Sequence, residues 1–446
     1  MSIRHNLPAC PAAPQVPPPS HRREYDIQII TPLFGGGSST QVNDPDFPIR
    51  PTSIRGQLQF WWRATVGAQY NSKEELRNAQ SAVWGDTSRA SRVRIRVDQV
   101  QAEAPTPCGQ FERERDRPDV YRSTPIWNAP FGKTALPYAL FPFQGKLTKD
   151  RRKIDLAPAS CIHKARFRLT INFDSSIDFG TQVEPALWAW LNFGGLGSRT
   201  RRGCGALFCS TLAPEDTGKL MEAWQRYMPQ LFPVREWPTL ASSVLVQTDE
   251  QPGAGIPVWN FVIKQFRDFR QGEYLGRNER NESNRPGGRS RFPEPETIRR
   301  VTGLRFSKHA RMPNIPNDAF PRAEFGLPIV FHFQDERNGE PYDTVLYPAS
   351  SSHEKSERMA SPLILKPLAL KNGKAIPLIL RLQTPLLTDV DLRRENESLP
   401  LPLTTSIRDP RLSKYQNSPL ALSPDGSAIE AFLAYAQNQG FKKVTR

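Results

Sequence analysis

The chain has 446 residues, with 60 Lys and Arg against 45 Asp and Glu. That length suits two ordinary domains, and a net charge of +15 with a pI near 9.8 points to a polyanionic partner rather than an acidic or embedded one. No apolar run approaches the ~20 residues that span a bilayer, and the five scattered cysteines (Cys10, Cys108, Cys161, Cys204, Cys209) form no CxxC pair, which excludes a disulfide framework and predicts reduced thiols in a cytoplasmic protein without a membrane partner.

Residues 1–22, proline-rich and without helical periodicity, are expected to be a disordered tail. EYDIQIIT at 24–31 alternates apolar and polar residues as a strand does, and PLFGGGSSTQVNDPDFPIR reads as loop. In PTSIRGQLQFWWRATVGAQY, Ile54, Leu58, Trp61, Trp62 and Thr65 recur at helical steps, and Pro51 near the start costs no hydrogen bond. Arg50, Arg55 and Arg63 lie at the start and along one side of this helix, and helix N-termini attract phosphates. Trp61 and Trp62 point in adjacent directions, so they are read as packing residues rather than as platforms for bases.

RVRIRVDQV at 92–100 and KARFRLTINF at 164–173 are strands with one apolar face and one basic face, the latter carrying Lys164, Arg166 and Arg168. A polar insertion at about 101–163 separates them. VEPALWAWLNF then reads as a helix and GALFCST as a short strand. The order β-α-β-β-α-β is that of a ferredoxin-like fold, whose sheet carries both helices on one face and leaves the other open. Lys164 and Arg166 on that open face are therefore candidate RNA contacts.

In the second half SVLVQT, EFGLPIVFHF, SPLILKPLAL and AIPLILRLQT read as strands, and VWNFVIKQFRDF and SAIEAFLAYAQ as helices. QGEYLGRNERNESNRPGGRSRFPEPE reads as a long polar loop. These elements predict a second α+β domain over 216–446 after a first over 23–215, with the order of its strands left open.

FGGLGSRTRRGCGAL at 193–207 holds five glycines and three arginines. It is no Walker A loop, since no Gly-Lys-Ser/Thr follows, and its glycine spacing is not GxGxxG. Glycines imply a backbone path closed to other residues or a ligand at close range, and exposed N–H groups beside Ser198, Arg199, Arg201 and Arg202 would suit phosphate oxygens. The competing reading is a tight turn with solvated arginines. Cys161-Ile162-His163 lacks a second ligand pair, so neither a metal nor a cofactor is expected.

TPLFGGG, RPTSIRGQLQFWWRA and GGLGSRTRRGCGAL together resemble the RAMP superfamily of CRISPR proteins, and within it the first-subunit family of the Cmr, or type III-B, effector complex. RFPEPETIRR, RAEFGLPIVFHF and RMASPLILKPL resemble that family's C-terminal half, so the likeness runs over most of residues 24–385. It implies an α+β protein of two ferredoxin-like halves with long loop insertions. It further implies no cofactor, other Cmr RAMP subunits as partners, and a non-catalytic role in holding the 3′ region of the guide CRISPR RNA and capturing single-stranded target RNA. By residue-level match Gly195, Gly197, Ser198, Arg199, Arg201, Arg202, Gly203 and Gly205 occupy the RAMP glycine-rich loop. Some RAMP proteins cleave RNA without metal, and the candidates for that alternative are Asp44, Asp46, His163 and His309. A third reading is a purely structural cap.

Overall fold

The computed structural model describes residues 21–444 except 36–41, 45, 126–133, 241–244, 249–252, 280–287, 308–314, 317, 334–335, 350–356 and 396. The tail 1–20, with Cys10, and His309 therefore lie outside the described residues. The alternating sequences of the N-terminal half form β1 (His21–Ile29), β2 (Val93–Ala102) and β3 (Ala165–Phe173), joined by the two-residue β4 (Leu207–Phe208). Their sheet order is β4-β1-β3-β2, and every neighbouring pair is antiparallel. One face is a single apolar layer in which Ile27 opposes Phe167 and Tyr25 opposes Leu169. Against it lie α1 (Pro51–Ala64) and α2 (Glu184–Phe193), which bury Trp61, Trp62, Trp188 and Trp190. A further helix, Lys73–Trp84, starts at Ser72, whose hydroxyl accepts from the Glu75 amide at 3.1 Å.

A second four-stranded sheet is built from β5 (Leu245–Thr248), β6 (Leu363–Ala369), β7 (Ala375–Arg381) and β8 (Phe441–Val444), in the order β6-β7-β5-β8. With α3 (Gly255–Gln271) after its first strand and α4 (Ala428–Asn438) before its last, it repeats the strand order of the first sheet. Successive strand residues face opposite ways. Ile364, Leu368, Ile376, Leu378 and Leu380 accordingly join the core around α1 and α2, while Leu363, Leu365 and Ile379 join the core around α3 and α4. The layers thus run sheet, helices, sheet, helices, and α2 is buried on all sides from Pro185 to Phe193.

Two excursions build the walls of the site described below. The insertion after β2 packs rather than projecting as a polar loop: its helix Leu136–Ala139 and the turn Phe141–Phe143 bury Leu136, Leu140 and Phe143 in the α3 core. The Asn260 side chain of α3 accepts from the Ala135 amide at 2.7 Å. Between α3 and β6 lies a third antiparallel sheet of Ile329–Phe331, Thr344–Pro348, Val390–Arg394 and Glu397–Leu399, two of whose strands follow β7 in the chain. The helix Glu294–Thr302 packs on it through Ile298, its first three residues falling in the stretch that reads as loop. Glu296 on this helix is buried and ion-paired to Arg289, Arg299 and Arg305.

Lys366, in the middle of β6, is only 1% exposed, and its Nζ donates at 2.6 Å to the Gly194 carbonyl that follows α2. Burial pushes its pKa down to about 7. An unfolded lysine titrates near ~10.4, so below about pH 7 both states carry the proton and the fold bears the whole desolvation cost. As the pH rises from there toward ~10.4 the unfolded chain holds more protons, and stability climbs by up to about 1.4 kcal/mol per pH unit. Urea denaturation at about pH 6 and about pH 9 is expected to show this gain in the wild type and to lose it in Lys366→Met. An identical rise in the variant would assign the gain to other groups.

Candidate nucleic-acid interface

The glycine-arginine loop follows α2 directly and folds back into β4. Several of its backbone N–H groups are used inside the protein. Leu196 donates to the Gly205 carbonyl (2.9 Å), Ser198 to Phe34 (2.8 Å) and Gly205 to Pro32 (2.9 Å), while the buried Thr31 hydroxyl accepts from Ala206 (2.8 Å). These four donors of the expected cradle are consumed by the protein itself, while Gly197 and Ser198 stand exposed. The glycines serve the same packing. Gly203 and Gly205 have φ of +82° and +61°, and an added Cβ would lie 2.6 Å from the Trp259 ring or 1.9 Å from the Leu196 carbonyl. Gly195 meets backbone oxygens of Cys204 and Gly205, and Gly197 meets Phe34.

The three arginines divide. Arg201 donates to the Ser361 carbonyl and lies 5.5 Å from the Phe60 ring centre. Arg202 donates to the carbonyls of Leu363 (3.0 Å) and Phe325 (3.4 Å) and lies 4.9 Å from the Phe266 ring. Both are staples to the C-terminal half, not solvated side chains. Burial pushes the Arg201 guanidinium down to about 10, and burial plus the neighbouring Arg199, Arg270 and Arg201 charges pushes Arg202 to about 9. Arg199, held at φ +55°, is lowered by burial too, and its Nε is buried without a hydrogen-bond partner.

These arginines open onto a groove of about 1050 Å³ between the insertion, α3 and the third sheet. Arg199, Arg201, Arg202, Arg267 and Arg270 all line it, and among the described residues no aspartate or glutamate does. Tyr138 receives the Arg270 guanidinium at 2.6 Å, and Phe141 and Val330 stand exposed on the walls. Arg267 is ion-paired to Asp268 at 2.8 Å, and the other four arginines, with no carboxylate in the lining itself, raise the local potential for an anion. On the far side of the same loop, Gly197 and Ser198 line a second cavity of about 330 Å³ with Gly35, Arg50, Thr52, Ser53 and Gly56 at the uncapped start of α1. The Arg50 Nε in its wall has no hydrogen-bond partner.

The RAMP superfamily model matches residues 26–208, which contain the first sheet, α1, α2 and the loop. Over this segment the chain is similar to that superfamily. Two Pyrococcus furiosus proteins are similar to the chain. CRISPR system Cmr subunit Cmr1-2 is 27% identical over 192 residues, covering 41% of this chain and 92% of that protein. Cmr subunit Cmr1-1 is 26% identical over 190 residues, 41% of this chain and 46% of that protein. Among solved structures, apo Cmr1 from Pyrococcus furiosus is 18% identical with a TM-score of 0.46, over 95% of this chain and 98% of that one. A type III-B Cmr-beta complex bound to cognate target RNA contributes a chain 11% identical with a TM-score of 0.40, over 80% and 94%.

Other sequence candidates in residues 26–208 sit apart from the groove. Arg55 donates to the Trp84 carbonyl, and Arg63 to Gln80 Oε1 at 3.0 Å, so both fasten the helix Lys73–Trp84. On the open face of the first sheet Arg166 donates to Gln101 (2.6 Å), Lys164 pairs with Glu103 (3.7 Å) and Arg168 with Asp26 (2.9 Å). Glu103 and Asp26 offset part of the charge of that face, while Arg166 meets only the neutral Gln101 amide. Asp44 shapes a turn by accepting from the amides of Asp46 (3.0 Å) and Phe47 (2.9 Å). His163 has its pKa lowered by burial beside Cys161, outside the groove lining.

The groove includes residues that the sequence did not single out: Tyr138, Phe141, Arg267, Arg270 and His332. His332 Nδ1 lies 2.8 Å from Asp343 Oδ2. Among the described residues, no group of His, Cys, Asp and Glu could hold a metal ion, and no helix is long and apolar enough to cross a membrane.

Proposed function

We propose that the chain is a non-catalytic RNA-binding subunit of a type III-B CRISPR (Cmr) complex. In this reading it holds the 3′ region of the guide RNA in the arginine groove, helps capture single-stranded target RNA, and works in the cytoplasm beside other Cmr RAMP subunits. The observation that carries the reading is the groove itself, lined by five arginines and no carboxylate among the described lining residues, of which Arg199 and Arg270 are neither stapled to the C-terminal carbonyls nor, like Arg267, paired to Asp268. The RAMP-superfamily match of residues 26–208 and the likeness of the chain to Cmr subunits supply the biological setting. The shared strand order of the two four-stranded sheets supports two ferredoxin-like units, over 23–215 and 216–446, packed through a common core.

The test is anisotropy of labelled single-stranded RNA over a salt series with the full chain. Arg199→Ala with Arg267→Ala is expected to weaken binding about tenfold or more and to flatten the salt dependence by about 0.7 log units for each phosphate that is no longer neutralised. Unchanged affinity and slope would remove the groove from the interface. The RNA is expected to stay full length with and without Mg²⁺, and Asp44→Ala, Asp46→Ala and His163→Ala to change nothing.

One observation favours a second reading, a metal-independent ribonuclease. His332 on the groove wall is oriented by Asp343 within reach of arginines that would stabilise charge on a phosphate. RNA cleavage by the wild type that His332→Ala abolishes would establish it.

A further inference from the structure

We infer that Phe141 is the stacking platform for one unpaired nucleobase of the strand whose phosphates follow the arginine groove, a role that rests on the RNA-binding reading above. Phe141 is 72% exposed, unusual for a large apolar ring, and it lines the groove. Its outward position is built rather than accidental. It opens a single turn, Phe141–Phe143, whose flanking residues Leu140 and Phe143 are 1% and 4% exposed. Phe143 stacks on Phe34 with ring centres 4.4 Å apart and planes 8° from parallel. The Phe143 amide donates to the Leu140 carbonyl at 2.8 Å, and Gln144 Nε2 donates to Pro137 at 2.6 Å. Anchored on both sides, the turn presents the Phe141 ring at little entropic cost on binding, as preorganised contacts do.

The chemistry of the groove selects the occupant. A floor carrying Arg199, Arg202 and Arg270 with no carboxylate in the lining repels most basic and amphipathic segments and attracts a phosphodiester chain. An exposed ring beside such a floor offers a π-face that every base matches, the arrangement by which single strands are held without sequence preference. A base inside a duplex has both faces covered by its neighbours, so the occupant is an unpaired nucleotide.

The experiment uses the full chain and a fluorescein-labelled single-stranded oligoribonucleotide with 2-aminopurine moved through successive positions. One position is expected to be quenched on binding to the wild type. Phe141→Ala should remove that quenching and weaken binding about tenfold, with the salt slope unchanged, and Phe141→Trp should restore both. An abasic site at the quenched position should weaken the wild type by a similar factor and Phe141→Ala hardly further, the signature of one shared interaction. If the wild type binds RNA while Phe141→Ala matches it in affinity and quenching, the stacking role falls and the RNA-binding reading stands. If the wild type binds no RNA, both fall. If Phe141→Ala loses association with another Cmr subunit but keeps RNA affinity, the ring belongs to a protein interface and the inference is overturned.

Discussion

Gly205→Ala is expected to destabilise the protein by more than ~3 kcal/mol, beyond the range of an ordinary surface change. The residue has φ +61°, and a Cβ there would lie 1.9 Å from the Leu196 carbonyl oxygen and 3.0 Å from its carbon. Backbone opposes backbone, so no side chain can rotate away. Nor can the loop shift cheaply, because Trp190 Nε1 donates to Gly195 at 3.0 Å and the Thr31 hydroxyl to Gly203 at 2.6 Å. Gly56→Ala is the contrasting control: nothing lies within 4 Å of its Cβ position in α1, and the change is expected to stabilise by up to about 1 kcal/mol through helix propensity. Thermal or urea denaturation of the pair checks the argument. Equal effects of the two substitutions would mean that the close approach at Gly205 relaxes.

The sequence carried the first sheet because β1, β2 and β3 each have one wet and one dry face, and carried α1 and α2 because their apolar residues recur at helical steps. It was silent on the order of the second sheet for a related reason. β6 is buried along its whole length and β7 over most of it, so the alternation that distinguishes faces disappears. Of the third sheet the sequence found only Ile329–Phe331, inside EFGLPIVFHF; its other strands have three to five residues, too few to show a period. The helix Lys73–Trp84 had a usable signal in Ser72-Lys73-Glu74-Glu75, since a serine followed three residues later by glutamate marks a helix start.

The loop was legible as special but not in its purpose. Five glycines signal a close approach without naming the partner, and the partners, Trp259 and the Leu365 carbonyl for Gly203, lie far along the chain. In the same way Arg199, Arg267, Arg270 and Phe141 converge from three separate segments, so no local motif could assemble the groove. Lys164 and Arg166 show the converse case. Alternation placed Arg166 on a strand, which starts one residue after Lys164, but Glu103 and Gln101, which engage the two side chains, come from the neighbouring strand end and are invisible to a reading of one strand.

Arg201→Ala combined with Arg202→Ala is expected to loosen the junction between the N-terminal and C-terminal halves, at a cost of about 3–5 kcal/mol. Together the two guanidinium groups donate to the carbonyls of Ser361, Leu363 and Phe325 and lie beside the Phe60 and Phe266 rings. Hydrogen bonds from a charged donor contribute roughly 1.5–3 kcal/mol each, and truncation also leaves carbonyls unpaired and opens a cavity. Part of this is offset. Burial lowers both pKa values, to about 10 and about 9, which shows that holding the charges there is itself costly. The loss should appear as a lower denaturation midpoint and as faster amide exchange in Leu363–Ala369, whose strand the two side chains pin. Arg199→Ala, at a residue whose Nε has no hydrogen-bond partner, should instead leave the midpoint nearly unchanged and weaken RNA binding. The two variants therefore separate staple from ligand within one loop: a double variant that melts like the wild type yet no longer binds RNA would move Arg201 and Arg202 from the junction to the interface.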